Sequence, residues 1–287
     1  MEHLQLALEK ARRLRGTAMP AGTTTGAATG AATGATTGAG AARLHLVTPL
    51  PAARRPDPAA AWRALPEFEL DRAVLARGRI VSRDGGAAAA PWDLLRGRLL
   101  DEARRNGWRR IALSSPTPGA GRTTALANLA LSCARAPGLR LIALDLDLRR
   151  PTLGRLLGQH PLTDLTGSLV DVLAGRSPFA AAARRLGEAT ALGIAHDPVA
   201  NPADLLCAKT AHDAINAIED AYAPDLILID TPPLTAAAEA HAALNLADAA
   251  ILVAEAGKTT TKQIDNAEHA IANLTNTIGT IINKAKG

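Results

Sequence analysis

Residues 114–124 read SSPTPGAGRTT, a run built to wrap a phosphate group. Gly119 and Gly121 let backbone N–H groups approach an anion, and a helix starting near Arg122 adds its positive dipole end. Thr123 stands where a hydroxyl can ligate magnesium. Two positions depart from the usual spacing: Pro116 replaces the first glycine, and Arg122 replaces the lysine. Taken alone, the run is either a phosphate loop, with Pro118, Gly119, Ala120, Gly121, Arg122, Thr123 and Thr124 around the anion, or a glycine-containing turn between strand and helix.

Two acidic features follow in the order such a loop requires. LIALDLDLRRP (141–151) is an apolar run leading to Asp145 and Asp147. Carboxylates two apart on an extended chain point to the same side. They can hold magnesium or accept a proton from an attacking hydroxyl; they can equally be solvated charges at a strand end. DLILIDTPP (225–233) ends its apolar run in Asp230, the place of a magnesium-linked carboxylate in phosphate-loop enzymes, or of a turn aspartate before Thr-Pro-Pro. Together, a loop and two acidic strand ends are harder to explain as ordinary turns than any one of them.

These residues need strands to carry them. Short β-rich runs occur at 109–115, 139–147, 192–198, 225–230, 249–256 and 277–285. Several are continuously apolar, as in strands covered on both faces. Helical spacing is read at 91–107, 122–135, 201–221 and 261–274. The alternation predicts an α/β domain over 90–287, a mostly parallel doubly wound sheet with ligands beyond the carboxyl ends of its strands. Ahead of it, 1–16 is expected to be a helix, 17–42 a flexible Ala/Gly/Thr-rich linker, and 43–89 a Pro/Ala-rich irregular region.

Composition narrows the function classes. The 287 residues are 47% hydrophobic but only 2% aromatic, so the core is aliphatic and base-stacking platforms are not expected. Residues 1–110 hold 18 basic and 10 acidic side chains, and 111–287 hold 14 and 17. That puts a basic arm on a mildly acidic body, either a solvated surface or one that meets anionic lipid or nucleic acid. No run of about 18 apolar residues suggests a membrane span, and the N-terminus lacks a signal-peptide stretch. With two cysteines, Cys133 and Cys207, a cytoplasmic chain with reduced thiols is expected.

SSPTPGAGRTTALANLA, LDLDLRRP, VDVLAGRSP, NPADLL, LILIDTPP and EAGKTT…INK together resemble the cytoplasmic bacterial tyrosine kinases of capsular and exopolysaccharide synthesis, relatives of the partition and septum-site ATPases. The likeness covers about 90–287. Partition ATPases carry a second lysine early in the loop; the comparable position here is Thr117, which favours the kinase branch. The resemblance implies the P-loop NTPase fold, ATP and magnesium. Gly119–Thr124 would cradle phosphate and Thr123 would bind magnesium. Asp145 and Asp147 would serve metal and general-base chemistry, with Asp230 as the third acidic element. Asn283 would contact adenine, or be a plain strand-end asparagine. A membrane-embedded polysaccharide chain-length regulator, acting in trans, is the implied partner and would recruit the chain to the inner face of the membrane; nucleic acid is not.

Three departures bear on activity. Arg122 keeps a charge but is larger and planar, so nucleotide binding with reduced phosphoryl transfer is expected. The sequence holds one tyrosine, Tyr222, which is expected to be packed, and no tyrosine-rich tail follows the last strand; any kinase activity is expected to act on another protein. Ring-forming relatives use a glutamate and two arginines spaced by three. The matching positions are Ala90, Asp93 and Arg96, so a ring through this motif is not expected, while other self-assembly stays open. Three readings stand: a weakened ATP-dependent kinase, a non-catalytic nucleotide-sensing or scaffold module, and a positioning ATPase.

Overall fold

The computed structural model describes residues 57–159 and 166–285. The expected helix 1–16, the linker 17–42 and residues 43–56 lie outside the described residues.

Residues 57–89, read from sequence as irregular, contain two short helices. Asp57 caps α1 (Pro58–Ala64) by accepting from the Ala59 N–H at 3.0 Å, with Pro58 at a position that needs no donor. Asp71 caps α2 (Arg72–Arg77) in the same way. Each is anchored by a buried side chain, Trp62 and Leu75. Helices this short repeat no apolar face, so periodicity could not reveal them.

Seven strands form one sheet: β1 (Arg110–Ser114), β2 (Leu141–Asp145), β3 (Ala183–Leu186), β4 (Thr190–Gly193), β5 (Leu226–Asp230), β6 (Ala249–Glu255) and β7 (Asn276–Asn283). Their order is β3-β4-β2-β5-β1-β6-β7. All neighbours are parallel except β3 with β4. Helices α3 (Ala90–Asn106), α4 (Arg122–Ala134), α5 (Leu153–Leu157), α6 (Leu169–Leu173), α7 (Phe179–Ala182), α8 (Pro202–Cys207), α9 (Lys209–Tyr222), α10 (Ala237–Leu244) and α11 (Thr261–Ala272) complete the domain. This is the expected mostly parallel, doubly wound α/β sheet.

Both faces of the sheet are buried, which explains the unbroken apolar runs. Leu141 and Ala143 of β2 join one core with Leu126 and Leu129 of α4, whereas Ile142 and Leu144 join the other with Ile215 and Ile218 of α9. Three of the scarce aromatics meet in the second core, where Tyr222 contacts Trp62 and Phe179 edge-on at 5.9 and 5.3 Å. Tyr222 is therefore packed, and burial raises its phenol pKa.

Several boundaries differ from the sequence reading. The run 192–198 is a strand only to Gly193. It is the return arm of a hairpin through Gly187, whose φ is 62°, and its partner β3 escaped notice because two of its four residues are arginines. The helix expected over 201–221 breaks at Ala208, where ψ is 144°. In the ring-motif region, Asp93 of α3 pairs with Arg96 at 3.3 Å and with Arg135, and accepts from Ser132 of α4 at 2.5 Å. Asp93 and Arg96 are thus engaged within the chain, stitching α3 to α4.

Candidate nucleotide site

Strand β1 hands the chain to the loop 115–121, and α4 starts at Arg122. Gly119 and Gly121 have φ of 82° and 95°, a left-handed region that favours glycine. A β-carbon on Gly121 would lie 2.2 Å from Asn283 Nδ2. The loop is also braced from β7: Asn283 Nδ2 donates to the Ala120 carbonyl at 2.9 Å, and Lys284 Nζ to that of Gly119 at 2.7 Å. With their carbonyls engaged this way, the loop amides stay available to an anion.

An open cleft of about 550 Å³ lies over the loop. Pro118, Gly119, Ala120, Gly121, Arg122, Thr123, Thr124 and Asp147 all line it. Arg149, Thr152, Glu239 and Lys284 line it too and were not singled out from sequence. Arg149 and Lys284 each sat in a quoted motif, but nothing in their spacing told which way they turn. Asn283 does not line the cleft; its amide is engaged with the loop.

The carboxylates are placed by strand register. Asp145 ends β2 and Asp230 ends β5, directly opposite each other across the parallel pair. Both are fully buried. Burial, then the facing Asp230, holds the Asp145 pKa well above the usual carboxylate range. Burial raises Asp230 also, against the opposing pull of Arg122 and of the Thr123 hydroxyl, which donates to it at 2.5 Å. Asp145 has a structural task as well: its Oδ2 accepts the Thr152 and Leu153 N–H groups at 3.0 and 2.9 Å, capping α5.

Asp147 does not share a strand face with Asp145, contrary to the i, i+2 reading. The Leu146 N–H gives the Asp230 carbonyl the last rung of the parallel ladder at 2.9 Å; β2 ends at Asp145, and Asp147 then starts a turn closed by the Arg150 N–H. It reaches the cleft from that turn. Burial pushes its pKa up to about 6, although the Arg122 guanidinium opposes the rise.

Arg122 is buried and its guanidinium is engaged within the protein. It donates from Nη1 to Ser115 Oγ at 2.9 Å and from Nη2 to Asp147 Oδ2 at 2.9 Å, and its Nε lies 3.5 Å from Asp230 Oδ1. The guanidinium therefore rests between two of the three carboxylates, as its planar fork favours.

The sequence matches no family model. It is 32% identical over 180 residues to the tyrosine-protein kinase YwqD of Bacillus subtilis, a match spanning 62% of this chain and 73% of YwqD. The chain belongs to the bacterial tyrosine-protein kinase family. Over 156 residues it is 31% identical to the putative tyrosine-protein kinase AmsA of Erwinia amylovora, but that match spans 54% of this chain and only 20% of AmsA. Its fold is that of the kinase domain of the Escherichia coli tyrosine kinase ETK, with a TM-score of 0.62 over 75% of this chain and 82% of that domain at 22% identity. Against that kinase frame, the pairing of Arg122 with Asp147 and Asp230 is the feature that bears most on chemistry.

Among the described residues, no three acidic, histidine or cysteine side chains converge closely enough to hold a metal ion alone, and no helix is long and apolar enough to cross a membrane. Two buried oxygens, Asp145 Oδ1 and Asp230 Oδ1, nevertheless accept no hydrogen bond. Hard oxygens left over beside a phosphate loop fit magnesium, which takes one or two carboxylates and completes its shell with phosphate and water.

Proposed function

We propose that this chain binds ATP with magnesium in the cleft over residues 118–124. In this reading it is a cytoplasmic tyrosine-kinase component of exopolysaccharide or capsule synthesis, with phosphoryl transfer slowed by Arg122. The observation that carries the reading is the meeting of the loop and Asp147 on one cleft, with Arg122 drawn back onto Asp147 and Asp230.

The loop amides and the start of α4 hold the phosphates. Thr123, Asp145, Asp147 and Asp230 are the residues that would hold magnesium, which when bound neutralises charge on the phosphates. Asp147 is the carboxylate of the three that lines the cleft, and its pKa of about 6 suits a general base. It takes the proton of a substrate tyrosine hydroxyl. The phenolic oxygen then bonds to the γ-phosphorus as the bond to the β–γ bridging oxygen breaks and ADP leaves. Asp147 cannot accept that proton freely while Arg122 holds it, and Arg122 cannot serve the phosphates while it faces the carboxylates. Buried Tyr222 makes a poor acceptor. The activating partner in this reading is a membrane-embedded chain-length regulator that brings the chain to the inner face of the membrane.

The test compares the wild-type chain with Arg122→Lys for ATP binding by calorimetry and for magnesium-dependent transfer to a tyrosine peptide. Lysine, a compact charge, should raise turnover at least about tenfold. Equal turnover in the two proteins would remove Arg122 as the brake, and no ATP heat would remove the nucleotide site. Binding without turnover in either protein would favour a non-catalytic nucleotide-sensing module, a reading that the buried Arg122 ion pairs also support.

A further inference from the structure

With Arg122 committed to carboxylates, the cleft lacks the compact ammonium that phosphate loops present to their ligand. A different residue occupies that role in space. Lys284 follows β7 directly and lines the cleft. Its Nζ reaches the mouth of the phosphate loop at the Gly119 carbonyl, 2.7 Å away, and pairs with Glu255 Oε2 at 3.2 Å.

Its placement is enforced by the backbone. Lys284 has φ of 59°, a left-handed conformation that non-glycine residues seldom hold. Asn283 maintains it: its Oδ1 accepts the Lys284 N–H at 2.9 Å while its amide grips Ala120. The contact that seats Asn283 on the loop therefore also aims Lys284 at it. The ammonium is free to move as well. Its side chain is 34% exposed, and if it leaves, Glu255 keeps Lys258 as a partner at 2.7 Å. Exchanging a neutral carbonyl for a phosphate oxygen gives the ammonium an anionic acceptor without stranding the carboxylate.

We infer that Lys284 binds the phosphates of the nucleotide, supplying from the end of β7 the ammonium charge that the loop lacks at Arg122. This inference rests on the cleft being a nucleotide site.

Calorimetry of the full chain with ATP, ADP and adenosine tests it, using wild type, Lys284→Ala, Lys284→Gln and Lys284→Arg. Lys284→Ala should weaken ATP and ADP about tenfold and leave adenosine unchanged. Lys284→Arg should recover most of the loss. Lys284→Gln keeps a donor for the Gly119 carbonyl but no charge, so it should bind as weakly as Lys284→Ala and show a shallower salt dependence than wild type. Wild-type affinity in Lys284→Gln would reduce Lys284 to a neutral brace of the loop and overturn the inference, as would wild-type affinity in Lys284→Ala. A wild-type chain that binds no nucleotide at all would overturn the site itself and this inference with it.

Discussion

At Gly121 the backbone takes φ of 95°, and a β-carbon would lie 2.2 Å from Asn283 Nδ2. Alanine here meets two obstacles, a conformation costing about 1–2 kcal/mol and a clash with the side chain that braces the loop. Gly121→Ala should therefore weaken ATP binding by more than about tenfold while the far-ultraviolet circular dichroism stays unchanged. Unaltered affinity in calorimetry would mean that the loop does not hold phosphate in this shape. Asp145 shows why residue roles must be separated by geometry. Because its Oδ2 caps α5, replacing it by alanine would disturb the fold as well as any metal. Gly121 and Lys284 report on the ligand more cleanly.

At the scale of elements, α4 carries the phosphate loop into the core, and nearly all of it is buried. Asn128, two turns along, ties it to the segment after α2. Its Oδ1 accepts from the Val81 and Ser82 N–H groups at 2.8 and 3.2 Å, and its Nδ2 donates to the Thr124 carbonyl at 2.9 Å. Asn128→Ala removes the acceptor that satisfies the buried Ser82 N–H and should cost about 2–3 kcal/mol, read as a lower urea midpoint with unchanged slope. A midpoint within error of wild type would mean that water replaces the asparagine there. Similar short-range fastening explains why 57–89 belongs to the domain: Trp62 donates to the Tyr222 carbonyl at 2.7 Å, and Arg185 exchanges hydrogen bonds with Pro66 and Phe68, covering the outer edge of β3.

At the scale of the whole molecule, the cluster of raised carboxylates sets a pH dependence. Asp145, Asp147 and Asp230 all titrate above the ordinary carboxylate value, Asp147 at about 6. Between about 4 and 6 the folded chain therefore holds more protons than the unfolded one, and stability declines as pH rises through that window. The lowered carboxylate of Asp93, hydrogen-bonded to Arg135 and Ser132, acts in the opposite sense and only in stronger acid. The nucleotide-free protein should melt at a higher temperature at pH 5.5 than at pH 7.5 in differential scanning fluorimetry. A melting temperature that climbs from 5.5 to 7.5 would contradict the buried carboxylate cluster. The site is thus placed at some expense to the fold, which is common where charge must be concentrated for function.

How much could be read in advance follows from how far apart the interacting residues lie. The parallel sheet was legible because strands covered on both faces leave continuous apolar runs, and because Asp145 and Asp230 each close such a run. The loop 118–124 was legible because glycines permit its left-handed turns and a threonine hydroxyl follows them where the helix begins. The short helices and β3 were not, since each is held by one or two distant contacts rather than by its own pattern. Sequence alone determined the fold class, the order of the strand ends and the chemical types gathered there. Tertiary structure decided which way those side chains turn. Strand register set Asp145 against Asp230, a turn rather than a strand delivered Asp147, charge pairing drew Arg122 back to the carboxylates, and a strained residue after β7 brought Lys284 to the cleft. Orientation of this kind depends on neighbours supplied by other strands, and those are known only once the sheet is assembled.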